Sequence, residues 1–219
     1  MDDFKSITVK SVMVNGKKEL EIHNPAGLPL VGAGAQGAVF RLSSGKCVKI
    51  YVDPRTAYWE AKALLAANGS PYFPKLYRHG SRYVVMEYLK GPTLRDYLLE
   101  HPGLTESFAA QLLALLKEMR RLKFSRIDTR TAHLIVTEGG RLKAIDHSGA
   151  YRTVRRAPFM LLRSLHRAGC LQDFLKYVAR HDPKLYMKWR KKRAEGTDLG
   201  GVPRLPRIEK LLDSTEKDE

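Results

Sequence analysis

Gly32-Ala33-Gly34-Ala35-Gln36-Gly37-Ala38-Val39 is the run that most constrains what this chain can fold into. Glycines at the spacing G-x-G-x-x-G let a backbone approach a ligand closely, and two architectures use them. In one, the glycines close a strand and open a helix, as in doubly wound dinucleotide-binding sheets. In the other, they turn one strand straight into the next. The residues after Gly37 decide between them. "AVFRLSSGK" is strand-like and turns after a few residues, with no helical period. The dinucleotide reading fails that test, and a glycine-rich strand pair is expected. A glycine hairpin that holds no ligand is also compatible with this motif alone.

The rest of the front half has the same character. "SITVKSVMVNGKKELEIHN" alternates apolar and polar residues on both sides of Asn15-Gly16, a strong hairpin signal. "LPLVGAGAQGAVFRLSSGKCVKIYV" predicts three short strands, and "FPKLYRHGSRYVVMEYL" two more around His79-Gly80. Between them "DPRTAYWEAKALLAANGS" predicts a helix, capped by Asp53, with Pro54 in its first turn and Asn68-Gly69 at its end. The pattern switches near Leu89–Pro92. "GPTLRDYLLEHPG" and "LTESFAAQLLALLKEMRRLK" are helical, the second opened by Thr105 with Phe108 where a capping box would place Glu. "AHLIVTEGGRLKAIDHSG" predicts a hairpin at Gly139-Gly140, and Pro158 to Arg193 reads as helices broken near Gly169 and at Pro183. The expected architecture is α+β, in two lobes. The expected domains are a hairpin extension over 1–26, a β-rich N-lobe with one helix over 27–89, a short, mostly helical C-lobe over 90–196 and a loose tail over 197–219.

The chain has 219 residues, enough for two small lobes with a proper core. Its longest apolar runs are too short to span a bilayer, and "MDDFKSITVK" has no apolar signal region. Two cysteines, Cys47 and Cys170, lie far apart without metal-ligand spacing, so a cytoplasmic, reduced protein is expected. The formal net charge of +16 gathers in Lys117–Arg126, Arg152–Arg156 and Lys188–Arg193. Such a surface suits a polyanion such as RNA or the ribosome, or is simply the solvated face of a basic protein.

Further residues bear on chemistry. Lys49 sits in the strand-like "CVKIY" and is costly to bury without an anion. Glu60, on the following helix, is placed to pair with Lys49 and aim it at the α- and β-phosphates of a nucleotide; alone it would read as a solvated helix charge. In "YVVMEYLKGPTL", backbone groups from Glu87 to Leu89 are positioned to meet an adenine ring, with Met86 at the pocket mouth.

Jointly, from about Leu28 to Ala150, these motifs resemble the protein-kinase-like superfamily, especially its small atypical members: the RIO type, the KEOPS-complex kinase type and related bacterial serine/threonine-protein-kinase-like proteins. The resemblance implies a two-lobed kinase-like fold. It also implies an ATP-dependent phosphotransferase that moves the γ-phosphate to a hydroxyl of a protein or small-molecule acceptor. Gly32, Gly34, Gly37 and Val39 would then cover ATP, with Lys49, Glu60, Met86, Glu87 and Leu89 completing its site. The family's catalytic loop falls on "RIDTRTAH", so Asp128 takes the catalytic-base position and His133 the position of a metal-binding asparagine. Asp146, in "DHSG", takes the position that holds Mg²⁺. Arg130 lies where many kinases carry a lysine against the γ-phosphate, or is a surface charge. His133 is either a ligand, which would suit Mn²⁺ better than Mg²⁺, or a space-filling loop residue. The chain departs from the family at Ile127, which replaces the loop arginine, at Gly149, displaced by one position, and in lacking an A-P-E-like sequence. A nucleotide-binding pseudokinase and an RNA- or ribosome-associated module are the competing expectations.

Overall fold

Asn15 and Gly16 take φ values of 50° and 75°, the left-handed pair that a tight two-residue hairpin demands. They join β1 (Thr8–Val14) to β2 (Lys17–His23) in antiparallel register. The computed structural model describes residues 3–194 and 202–212. It divides into two units, the first made of Met1–Lys90 with Ile145–Thr153 and the second of Gly91–Ala144 with Val154–Glu219.

The first unit is built on a five-stranded antiparallel sheet in the order β3-β4-β5-β7-β6. Its strands are β3 (Leu30–Gly34), β4 (Gly37–Arg41), β5 (Lys46–Tyr51), β6 (Leu76–His79) and β7 (Tyr83–Glu87). The two-residue period of the strands sends Ala38, Phe40, Val48, Ile50 and Val85 to one face. There they cluster with Phe4, Ile7 and Val9 from the N-terminal segment. Each large apolar side chain buried this way contributes about 1.5–3 kcal/mol. The hairpin extension is thus part of the sheet's core. Helix α1 (Pro54–Ala66) contacts β5, β6 and β7 and starts where expected: the Asp53 carboxylate accepts the N–H of Arg55, and Pro54 occupies the first turn.

The second unit is helical around a small hairpin. Helix α2 (Leu94–Glu100) is capped by Thr93 and α3 (Glu106–Arg121) by Thr105, whose Oγ1 accepts the N–H of Phe108 at 3.2 Å. Strands β8 (Leu134–Val136) and β9 (Leu142–Ala144) pair through the turn at Gly139-Gly140. Helices α4 (Phe159–Arg167), α5 (Leu171–His181) and α6 (Pro183–Ala194) follow, separated where Gly169 and Pro183 predict. α5 is the centre: α3, α4, α6 and a short α7 (Ile208–Leu212) all pack on it, burying Phe174, Leu175 and Val178.

One part of the expected loose tail differs. Residues 202–212 bury Val202, Leu205 and Leu211, and the Tyr186 hydroxyl donates to the Pro206 carbonyl at 2.8 Å. Three apolar anchors are enough to hold this stretch on the helices. The remainder of the tail, 197–201 and 213–219, lies outside the described residues. Within the first unit, Ile145–Thr153 joins the β-rich body, whereas the sequence assigns it to the helical lobe.

Candidate functional site

The face of the sheet opposite the apolar cluster carries the polar residues. On β5 the alternation that buries Val48 and Ile50 on one side turns Cys47, Lys49 and Tyr51 to the other. Across the ladder Lys49 faces Val39 and Val84, and Cys47 faces Met86. Gly37 pairs with Tyr51 in this register, and a Cβ on it would lie 2.1 Å from the Ile50 carbonyl oxygen, so no other residue fits there without backbone movement. Gly32 and Gly34 are different: a Cβ on either meets nothing within 4 Å. Packing therefore requires only the last glycine of the motif.

Lys49 Nζ lies 3.2 Å from Asp146 Oδ1. The sequence predicts Glu60 as its partner; the structure gives the ion pair to Asp146. Glu60, 1% exposed, accepts the backbone N–H of His147 at 2.8 Å instead, while its Oε2 is buried without a hydrogen-bond partner. Glu60 still acts on the lysine through space. Burial pushes the Lys49 ammonium down, but the charge of Glu60, then the charge and hydrogen bond of Asp146, with Cys47 adding to them, outweigh it and hold the group above its ordinary value. Asp146 has a φ of 66°, a backbone conformation that non-glycine residues rarely hold unless their surroundings impose it. Here the ion pair and the grip of Glu60 on the next residue impose it.

Three residues beside these have no signal in the motif alone. Tyr51 is fully buried, its hydroxyl has no hydrogen-bond partner, and Lys49 Nζ stands 5.0 Å from its ring centre. Burial first, then Glu60, Asp146 and Cys47, push its phenol well above the ordinary value. Cys47 is buried too, and burial raises its thiol to about 12. Counting back and forward by two from Lys49 finds both. Gln36, at the tip of the glycine-rich turn, accepts a hydrogen bond from the Ser148 hydroxyl at 3.1 Å. No local sequence rule predicts that link.

The stretch 145–153 is therefore held to the first unit at successive points. His147 is buried with its ring edge-on to Phe73 at 4.9 Å, the packing an apolar aromatic would give. Lys62 reaches over the Tyr151 ring at 5.4 Å. At the end of β7, Glu87 N–H donates to the Lys75 carbonyl, Tyr88 N–H to the Gly45 carbonyl, and the Cys47 thiol to the Glu87 carbonyl at 3.7 Å. Met86 is buried, and Leu89 is half-buried and makes no hydrogen bond among the described residues.

The remaining predicted residues belong to the second unit. Asp128 is 5% exposed, and its two oxygens accept the N–H of Met160 at 3.1 Å, with the Leu161 N–H adding a contact of 3.2 Å. It thereby serves as a cap, supplied from a distant loop, for the first turn of α4. Arg155 approaches it at 3.8 Å. Burial raises the Asp128 carboxyl to about 6, against the pull of the Met160 and Leu161 N–H groups, Arg126 and Arg155. Arg130 is exposed. His133 is half-buried at the end of a single 3-10 turn, and its backbone N–H donates to the Arg130 carbonyl at 2.9 Å. The loop is fixed again where Thr131 N–H donates to Ser164 Oγ.

The donor set bears on which metal the first unit could take. Among the described residues no three His, Cys, Asp or Glu side chains gather into a self-sufficient metal cluster. Mg²⁺ needs no such cluster, because it is commonly held by one or two carboxylates with phosphate oxygens and water completing its shell. Asp146, and the orphaned Glu60 Oε2 behind it, are oxygen donors of that kind.

No protein-family profile matches the chain. It is similar to a Bacillus subtilis (strain 168) protein named "Putative serine/threonine-protein kinase YrzF". The two are 29% identical over 124 residues, which is 54% of this chain. The chain spans 58% of that relative's length. No helix among the described residues is long and apolar enough to cross a membrane. The likeness to this relative thus covers part of each chain, and this chain's own architecture is α+β with a β-rich unit and a helical one.

Proposed function

We propose that the chain is an ATP-dependent phosphotransferase of minimal, atypical kinase type, acting on a hydroxyl of a serine/threonine protein substrate or a small molecule. The observation that carries this reading is the Lys49–Asp146 ion pair, formed across 97 residues of sequence on the sheet face below the glycine-rich turn. A buried ammonium flanked by two carboxylates is a ready counter-charge for phosphate oxygens once a nucleotide competes for it. In this reading Gly32, Gly34, Gly37 and Val39 cover the phosphates, and Met86, Glu87 and Leu89 bound the adenine. Asp146 would hold Mg²⁺, or Mn²⁺ in its place, which would supply positive charge against the phosphates. Lys49 orients the α- and β-phosphates, Glu60 keeps the Asp146-His147 backbone in place, and Arg130 offers a cation to the transferred phosphoryl group. Asp128 is assigned to the acceptor hydroxyl's proton and His133 to a second ligand position.

A second reading has its own observation. Both Asp128 oxygens accept hydrogen bonds from α4, so the residue already has structural work, as in a pseudokinase that binds nucleotide without transferring it. The test is transfer of labelled γ-phosphate, measured with Mg²⁺ and with Mn²⁺, beside nucleotide binding by calorimetry. Wild type is compared with Lys49→Ala, Asp146→Ala and Asp128→Asn, the last of which retains an acceptor for the α4 N–H groups. Transfer lost in all three variants, with nucleotide binding weakened in the first two, is the expected result. Binding without transfer, unchanged in Asp128→Asn, selects the second reading, and the absence of binding overturns both. A Mn²⁺ preference that His133→Asn removes assigns the histidine to the metal.

A further inference from the structure

Three basic runs that lie far apart in the sequence meet in the second unit. They line one hollow of about 760 Å³, in the size range of small-molecule sites. The C-terminal end of α3 and the loop after it bring Arg120, Phe124 and Ser125, the stretch after Thr153 brings Val154 and Arg156, and α6 brings Lys188, Trp189, Lys191 and Lys192. On α6 the spacing of three and four residues puts Lys188, Lys191 and Lys192 on neighbouring positions of one face. Backbone pairing builds the wall between the runs: Ile127 N–H donates to the Arg155 carbonyl, and Arg155 N–H donates to the Ser125 carbonyl at 2.8 Å.

The lining chemistry is one-sided. Among the described residues, five cations, Arg120, Arg156, Lys188, Lys191 and Lys192, and no carboxylate line the hollow. Its floor is apolar, formed by the buried Phe124, Ile127 and Trp189, with the exposed Val154 at its rim. Trp189 is 1% exposed, yet its indole N–H has no hydrogen-bond partner. Burial also lowers the Arg120 guanidinium from its ordinary value, with Asp182 opposing, a cost that a neighbouring anion relieves. A solvated basic face needs no concave shape.

We propose that this hollow binds a compact ligand carrying two or more phosphate groups. The concavity favours a small polyphosphorylated molecule over an extended strand. A nucleic acid would instead track an open basic groove with exposed stacking rings, and the two rings here, Phe124 and Trp189, are 4% and 1% exposed. The assignment is independent of phosphotransfer, since none of its ligating residues belongs to the nucleotide site proposed above.

The chain has two tryptophans, so Trp59→Phe leaves Trp189 as the one indole reporter. The probe is inorganic triphosphate, titrated into that variant at about 150 mM salt to screen long-range attraction. A saturable change in Trp189 emission is expected. Lys188→Gln/Lys192→Gln should weaken the affinity about tenfold or more, because each removes a charge-assisted donor. Lys17→Gln/Lys18→Gln, on β2, makes the same change in net charge and should leave it unaltered. Equal weakening by both pairs overturns the proposal in favour of general attraction, and so does an unresponsive Trp189. Tighter, competitive binding of a short single-stranded RNA also overturns it and makes the hollow part of a nucleic-acid surface.

Discussion

Asp128 combines a carboxylate with near-complete burial, and its titration follows from that. Its carboxyl sits at about 6 in the folded chain against an ordinary 3.8. The folded state therefore holds the proton more tightly than the unfolded one. The resulting stability is present in full below about pH 4, falls as pH rises toward 6 and is gone above it. A shift of that size corresponds to about 2–3 kcal/mol. Asp128→Asn cannot titrate. Urea unfolding of both proteins should show the wild type losing about that much relative to the variant between pH 4 and pH 7; parallel profiles would refute the raised carboxyl. Gly37→Ala should cost about 2 kcal/mol or more, since its Cβ must displace backbone, and a thermal midpoint equal to wild type would contradict the close approach. At this scale the sequence is legible in position and less so in partnership. Lys49, Glu60 and Asp146 stand out by motif order. Which carboxylate takes the ammonium depends on where residue 146 arrives in space, and no local pattern encodes that. Tyr51 and Cys47 are hidden for another reason, because apolar-looking side chains on a strand read as core.

Elements are where the sequence says most, because their ends are set by local chemistry. Asn15-Gly16, Asp53-Pro54, Thr93, Thr105 and Gly139-Gly140 each act within a few residues, and each boundary lies where they put it. The incomplete capping box of α3 has a packing reason. Phe108 is buried, with its ring edge-on to Tyr97 at 5.3 Å, so the position that would carry the box's glutamate is used by the core. The cap then rests on Thr105 alone. Thr105→Ala should destabilise the second unit by about 1 kcal/mol, read as a lowered denaturation midpoint with an unchanged slope; no shift would mean that the cap is redundant with core packing. The stretch 202–212 shows the opposite limit. Val202, Leu205 and Leu211 are too sparse among prolines and charges to show a period, although each finds a buried place.

Across the whole molecule, the N-terminal extension and the basic surface divide the work of core and contact. Phe4, Ile7 and Val9 cover the apolar face of the sheet, so deleting residues 1–26 uncovers Phe40, Val48 and Ile50. Such a truncation should yield an aggregating first unit, measured as loss of a monomeric elution peak; a soluble, cooperatively unfolding product would show the extension to be dispensable. The first unit is also discontinuous in the chain, since Ile145–Thr153 returns to it after 54 residues, 91–144, that belong elsewhere. That return delivers the aspartate to the lysine. An exchange of genetic segments that moves residues 1–90 as a block would hand over Lys49 and Glu60 without Asp146. The ammonium and the carboxylate can be inherited together only if the intervening helices and hairpin travel with them, so the chemistry ties two otherwise separable modules into one heritable piece.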